Sequence, residues 1–389
     1  MRDTKRILLT GGRAPATLEL ARLFHKGGHV VFVAESLTHP LTRLSRAVAR
    51  HYLVPPPRFN PTGYIEALLD IVKREKIDLL VPTCEEVFTV GWGRGRLTDH
   101  CCVFAESLAA LQPLHNKWEF IERAGRYGLS APRTTLIPSE SDFRAAIESN
   151  ESLVLKPVYS RFAAKTVFLR GRRGPTPAIT PTATTPWVAQ QFIRGRQICT
   201  YSVVHGGRIA AHTAYPVEFT AGQGAAVFFR HVDHAPSLAW VKKFVEAEGF
   251  TGQIAFDFIE TSSGELYALE CNPRATSGVH LLASNPQFAE AFWDSESELV
   301  TPTGGESSML AAAMVLYALP AARSWAGLKQ WAAAVATSRD VIIAGDDPLP
   351  AFSQLASVGF FLWRGLINGV SALEASTLDI EWNGDSVAR

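Results

Sequence analysis

The alternation of apolar and polar positions is sharpest over residues 252–272. Two runs of period two flank Thr261-Ser262-Ser263-Gly264, and the pattern predicts a β-hairpin. Phe256 and Phe258 point to one face of the first strand, Ala255 and Asp257 to the other. On the second strand Tyr267, Leu269 and Cys271 share a face, and Ala268, Glu270 and Asn272 share the opposite one. With the turn centred between Ser263 and Gly264, Asp257 faces Glu270, with Cβ atoms roughly 5 Å apart.

Upstream, residues 6–12 read as a buried strand entering a glycine turn. A helix with Leu18, Leu20, Ala21, Leu23 and Phe24 on its apolar face follows, then a second strand at 29–36. This is a βαβ unit, with a right-handed parallel crossover expected. A short strand before Pro55, an amphipathic helix over 61–75, a strand over 77–81 ended by Pro82 and a strand at 101–107 complete a Rossmann-like domain over 1–113. Asn116 caps a helix whose stripe is Phe120, Ile121 and Ala124, and Gly128 ends it. Strands at 153–155 and 166–169 precede a Pro/Thr/Gly-rich stretch at 171–186, which reads as a mobile surface loop. A strand–bend–strand over 187–204, a strand–loop–strand over 212–231 and a helix over 238–250 lead into the hairpin. Beyond 300 the pattern predicts a helical stretch from Ser308 to Ala336, a strand and turn over 340–352, an apolar helix near 351–369 and a short strand or tail at 379–384. The fold class is α/β. The expected division is 1–113, then a unit over 114–300 with parts 114–186 and 187–300, then a mixed, largely helical segment over 301–389.

Bulk properties narrow the function. A formal net charge of +1 gives no field to recruit nucleic acid or an anionic membrane. No apolar run is long enough to span a bilayer. Five cysteines without metal-type spacing suggest a reducing, cytoplasmic setting. Gly11-Gly12 lacks the G-x-G-x-x-G spacing of a dinucleotide site and reads as a tight turn, and Glu35 is only a weak ribose-binding signal without it.

The hairpin carries the chemistry. Facing carboxylates repel, so they call for a cation or a proton between them. Mg²⁺ prefers oxygen ligands and is commonly held by one or two carboxylates plus phosphates. Asn272 adds a neutral oxygen, and Arg274 can reach a phosphate with its planar fork. Further upstream, Glu85 and Glu86 sit at the carboxyl end of a parallel strand, where open α/β sheets bind ligands. They can hold a substrate amine or acidify a helix N-terminus.

An acidic residue on one strand followed by Glu-x-Asn-x-Arg on the next, as in Asp257 and Glu270-Cys271-Asn272-Pro273-Arg274, resembles the ATP-grasp superfamily. That superfamily includes biotin carboxylase, the carbamoyl-phosphate synthase large chain and D-alanine–D-alanine ligase. The resemblance implies a Rossmann-like domain followed by an ATP-grasp fold. It implies Mg²⁺ (with Mn²⁺ as a substitute) on Asp257, Glu270 and Asn272, and Arg274 on the phosphates or an acyl phosphate. Lys117, Lys156 and Ser160 would meet nucleotide phosphates, Gln190, Gln191, Phe192 and Ile193 the adenine, and Gln197 the ribose. Arg230 would face the phosphates, and Gly278 would lie just past the site. Many members have Glu where Asp257 stands. The loop over 159–165 has no glycine where the superfamily is rich in it, so Ser160, Arg161 and Lys165 would replace part of the backbone cradle. His280 reads as a local hydrogen bonder. The implied activity is ATP-dependent joining of a carboxylate and an amine through an acyl phosphate. The alternatives are carbamoyl- or carboxy-phosphate chemistry, or a non-catalytic nucleotide-binding protein. Small-molecule carboxylate and amine substrates are expected, without nucleic acid or membrane partners, and a homodimer is allowed.

Overall fold

The apolar run at the start of the chain becomes the centre of a parallel sheet. β1 (Arg6–Thr10) lies between β2 (Val30–Glu35) and β4 (Leu79–Val81), with β3 (Arg50–Leu53) and β5 (Cys102–Val103) outside them in the order β3-β2-β1-β4-β5. The structure is a computed structural model that describes residues 4–149, 151–160, 165–170, 178–222, 224–305 and 307–384. Helices α1 (Pro15–Lys26), α2 (Pro61–Glu75) and α3 (Val87–Thr98) make the crossovers. Gly11 ends β1 at φ +74°, and a Cβ there would meet Thr83 Oγ1 at 2.7 Å, so the tight turn requires glycine.

After α4 (Leu108–His115), α5 (Lys117–Arg126) starts at Asn116, whose Oδ1 accepts from the backbone N–H groups of Trp118 and Glu119. A small antiparallel sheet follows. It comprises β6 (Thr134–Ile137), β7 (Ser152–Pro157), β8 (Val167–Arg170) and β9 (Trp187–Gln191) in the order β6-β9-β7-β8, with α6 (Glu140–Glu148) against it. The central antiparallel sheet has the order β11-β10-β15-β16. Its strands are β10 (Arg196–His205), β11 (Arg208–Pro216), β15 (Gly252–Glu260) and β16 (Leu266–Asn272). The short strands β12 (Thr220–Ala221), β13 (Ala225–Ala226) and β14 (Phe228–Arg230) fall between β11 and β15, followed by α7 (Ala235–Glu248).

Why the hairpin stays in place is clear from its hidden face. Phe256 and Phe258 are fully buried against Trp240 and Phe244 of α7, with ring centroids between 5.1 and 5.2 Å for Trp240–Phe258 and Phe244–Phe256. Phe120 of α5 joins the same cluster. Each such aromatic burial contributes about 1.5–3 kcal/mol. The same core contains Leu8 and Leu80 of the parallel sheet, so the two sheets are held by one apolar mass.

The register holds a correction. Asp257 does pair with Glu270, but Phe258 pairs with Ala268, so Leu269 is an extra residue in β16. The turn is centred on Ser263, and the bulge supplies the missing step. Its physical consequence is a change of face. Ala268 joins Cys271 in the core, while Leu269 turns to the same cleft as Glu270 and Asn272.

The C-terminal segment is mixed and largely helical. Its departures from expectation are local. Ser307–Met309 forms β17, which pairs with β14 and with β18 (Ser338–Asp340), where a helix was expected to begin. The helical stretch after it is broken into α9 (Ala311–Ala313), a π turn over Met314–Ala318 and α10 (Leu319–Ala321), where Pro320 interrupts the backbone ladder. The preceding α8 (Val279–Leu282) and the later α11 (Trp325–Thr337), α12 (Pro350–Asn368) and α13 (Ala372–Ala375) complete the helices used below. Residues 379–384 form no strand. They tie the segment to the first domain instead. Buried Arg13 is bonded by Glu35 and by Asp379 (Nη1–Oδ1 2.8 Å), and Asp379 also accepts from Ser36 and Arg364. Arg22 of α1 is held in the same way by Asp347 at 2.9 Å.

Candidate active site

A cleft of about 360 Å³ lies between the small sheet and the central sheet, floored by the hairpin. Its volume falls within the range of small-molecule sites. The fold brings Lys117, Lys156, Ser160, Gln190, Gln191, Phe192, Ile193, Gln197, Asp257, Glu270, Asn272 and Arg274 together around it.

The two carboxylates set its electrostatics. Asp257 and Glu270 are directly opposed across β15 and β16. Burial, then the Glu270 charge, raises the Asp257 pKa well above the usual carboxylate range. Burial opposes ionisation of Glu270 too, but the Lys117 and Lys156 charges outweigh it and hold its pKa down. Of the two, Asp257 is the carboxylate that more readily keeps a proton.

Two lysines face this pair from different elements. Lys117 begins α5. Its Nζ lies 3.4 Å from Glu270 Oε2 and donates to the Ser160 carbonyl at 3.0 Å. Lys156, at the inner end of β7, donates to the carbonyl of bulged Leu269 at 3.3 Å. Burial, countered by Glu270, lowers the Lys156 pKa to about 8. A cation held this dry gains when a polyanion arrives.

Arg274 is fixed rather than free. Its Nε donates to Glu85 Oε1 at 2.8 Å, and its guanidinium also reaches the Ala275 carbonyl and, at 3.4 Å, Asn272 Oδ1. Glu85 thus touches the cleft only through Arg274. Glu86 does not reach it: its Oε1 accepts from Thr10 Oγ1 and from the N–H groups of Thr83 and Cys84, and so ties β1 to the loop after β4. Neither carboxylate is placed to meet a substrate amine directly. Arg230 is also outside the cleft lining, pairing with Glu218 over the ring of Phe228. Gly278 packs against β10, where a Cβ would meet Tyr201 Cβ at 2.4 Å, so its role is close packing. His280 is buried and bonded to Glu19 at 2.9 Å. Arg161 lies outside the described residues, and Lys165 borders a neighbouring cleft.

Sequence reasoning missed the apolar slot. Val154, Phe168, Ile259 and Leu269 join Phe192 and Ile193 in the wall, with Phe168 edge-on to Phe192 at 6.0 Å. Alternation marks these as strand residues, but not which of them meet across two sheets. It also missed Cys199, Tyr215, Thr276 and Ser277, which line the end of the cleft beyond Asp257.

The residues fit a divalent cation by the chemistry of their donors: two directly opposed carboxylates with an amide oxygen beside them. Among the described residues no group of three or more His, Cys, Asp or Glu forms a complete metal cage. A metal here would complete its shell with phosphate oxygens and water.

A parallel α/β sheet, two antiparallel sheets closing on a cleft, buried lysines on one wall and paired acids on the floor make up an arrangement of the ATP-grasp fold. Residues 114–278 match the family model of the ATP-grasp domain. No curated protein sequence matches the chain. Among solved structures it is similar to N5-carboxyaminoimidazole ribonucleotide synthetase in complex with ADP, at TM-score 0.61 and 13% identity over 79% of this chain and 81% of that one. It is similar to L-amino acid ligase from Bacillus licheniformis, at TM-score 0.58 and 14% identity over 72% and 69% of the two chains. It is also similar to biotin carboxylase from Campylobacter jejuni bound to an ATP analogue, at 0.57 and 14% over 75% and 71%. At these identities the likeness is one of fold.

Proposed function

We infer that the protein is an ATP-dependent carboxylate–amine ligase that works through an acyl phosphate. The observation that carries this reading is the opposition of Asp257 and Glu270 within reach of Lys117, Lys156 and Arg274 in one cleft. The apolar slot by Phe168, Phe192 and Ile193 suits adenine, with Gln190 and Gln191 at its polar edge and Gln197 toward the ribose. Lys156 and Lys117 neutralise phosphate charge. Asp257, Glu270 and Asn272 would hold Mg²⁺, which when bound supplies Lewis-acid stabilisation of the phosphoryl oxygens.

Arg274 then holds the acceptor carboxylate in line with the γ-phosphorus. A carboxylate oxygen forms the new P–O bond, and the bond to the β-phosphate oxygen breaks. The amine nitrogen next attacks the acyl carbon and loses a proton, and inorganic phosphate leaves with one oxygen of the original carboxylate. The chain's work is positioning and charge neutralisation, which suffice for phosphoryl transfer. The cation-rich end of the cleft surrounds the paired acids, which favours attack at the γ-phosphorus over the α-phosphorus.

The test supplies ATP, Mg²⁺ and pools of carboxylates and amines, with the carboxylate carrying ¹⁸O. One labelled oxygen in inorganic phosphate and release of ADP are expected. AMP and pyrophosphate as stoichiometric products would overturn the mechanism, and turnover dependent on bicarbonate alone would select carboxy-phosphate chemistry instead.

A further inference from the structure

α12 is packed inside out. Ser353, Ser357 and Gly365 face the protein, with Ser357 Oγ donating to the His39 carbonyl at 3.0 Å. Arg364, its one charged residue, is drawn back to Asp379 at 2.7 Å. Every exposed residue from Phe352 to Ile367 is apolar or glycine. Phe352, Leu355, Leu362, Trp363, Leu366 and Ile367 are each between 59% and 85% exposed. At roughly 150–250 Å² for a large side chain, these six present on the order of 800 Å² of apolar surface. The largest apolar patch on a typical monomer is about 300–600 Å². About 800 Å² per partner is what a stable protein interface buries.

The pattern is also self-complementary. Phe352, Leu355, Gly359, Leu362 and Leu366 recur at the three- and four-residue steps of a helix–helix seam. Gly359 is at its midpoint, and a Cβ there would meet nothing within 4 Å. Glycine inside a helix is less favourable than alanine, and among the described residues no contact within the protomer calls for it. Gly365, by contrast, is required by the Val370 carbonyl, 2.8 Å from where its Cβ would stand. Two copies of α12 placed antiparallel about a twofold axis at Gly359 would set Phe352 against Leu366, Leu355 against Trp363 and Leu362 against Ala356. Phe352, Gly359 and Leu366 thus map onto one another within the seam, Leu355 and Leu362 meet the exposed Trp363 and Ala356 beside it, and the axes approach where neither helix has a side chain.

We propose that the exposed face of α12 is the seam of a homodimer, covered by the same helix of a second copy in an antiparallel twofold arrangement. A bilayer is the weaker occupant, because a helix lying on a membrane carries lysines and arginines along its flanks and Arg364 is bound inward.

Sedimentation velocity with the full chain tests this. The wild type is expected to be a dimer at micromolar concentration. Leu362→Glu and Trp363→Lys should each weaken dimerisation at least about 100-fold, as loss of a central interface anchor does, with unchanged far-ultraviolet dichroism. Gly359→Cys should form a disulfide-linked dimer on oxidation, while the wild type with its own cysteines does not. A monomeric wild type would overturn the proposal, as would a dimer indifferent to both substitutions or a Gly359→Cys protein that fails to cross-link. Co-flotation of a monomeric wild type with phosphatidylcholine vesicles, lost in Leu362→Glu, would assign the face to lipid instead.

Discussion

Arg274 and Glu85 are joined at 2.8 Å across 189 residues of chain, so the first domain holds a side chain of the grasp site in place. On the proposed function this makes Glu85 a positioning residue. Glu85→Gln keeps an acceptor oxygen but loses the charge that orients the guanidinium. We expect kcat to fall about 10- to 100-fold, the scale of a misplaced reacting group, with KM for ATP nearly unchanged. An equal loss in KM for ATP would show that Glu85 acts on nucleotide binding instead.

On the proposed function, Lys156 would meet polyphosphate from a dry position. Lys156→Met keeps the stem and removes the cation, and should weaken Mg·ATP binding by about 10- to 100-fold, as expected for a lost charge-assisted hydrogen bond. Its pKa of about 8 in the free protein adds a second reading. Above that pH the amine must take up a proton to bind, so affinity should decline as pH rises beyond 8. Calorimetry in buffers of different ionisation enthalpy should show proton uptake in the wild type at pH 8.5 and less of it in Lys156→Met.

The raised pKa of Asp257 makes stability fall as pH rises. Its folded pKa is raised above an unfolded value of about 3.9. Between those values the folded state binds more protons, so stability declines from about pH 4 upward. Asp257→Asn should flatten that decline in urea titrations between pH 4 and 7. Mg²⁺ with ADP at about 100 times its dissociation constant should add roughly 2.7 kcal/mol to the wild type and clearly less to the variant. A variant that keeps the full gain would assign Asp257 to structure alone.

The clasp of Arg13 by Asp379 works in the opposite sense. Burial opposes ionisation of Asp379, yet Arg13 holds its pKa far below the usual range. Its contribution is present above the unfolded pKa of about 3.9 and is lost as pH falls below it. Asp379→Asn should cost about 3–5 kcal/mol at pH 7, the cost of breaking a buried pair. The deficit should shrink toward pH 3. A deficit unchanged at low pH would mean that packing, not charge, is what the substitution removes.

The architecture was legible wherever local pattern and burial agree. The 61–75 helix and the apolar faces at Phe256 and Phe258 follow from periodicity alone. The opposition of Asp257 and Glu270 was also readable, though from a turn centre half a residue off, because the bulge at Leu269 leaves no mark in the alternation. Glu86 is drawn toward the cleft by its place at a strand end and Arg230 by the family resemblance, and tertiary pairing with Thr10 and Glu218 takes them elsewhere. Phe168 and Val154 could not be assigned, since which strand residues line a slot depends on how two sheets meet. The tail was the least legible part. Its anchors are single charges, Asp347 and Asp379, whose partners lie more than 300 residues away.

That distance has a consequence for synthesis. The parallel sheet is complete once Val103 has emerged, but Asp379 follows roughly 280 residues later, which at about 5–20 residues per second is some 15–60 s. Through that interval Arg13 has Glu35 but not Asp379. The oldest part of a nascent chain therefore waits longest for its last contact, and newly made molecules should be more sensitive to protease in the first domain than released ones.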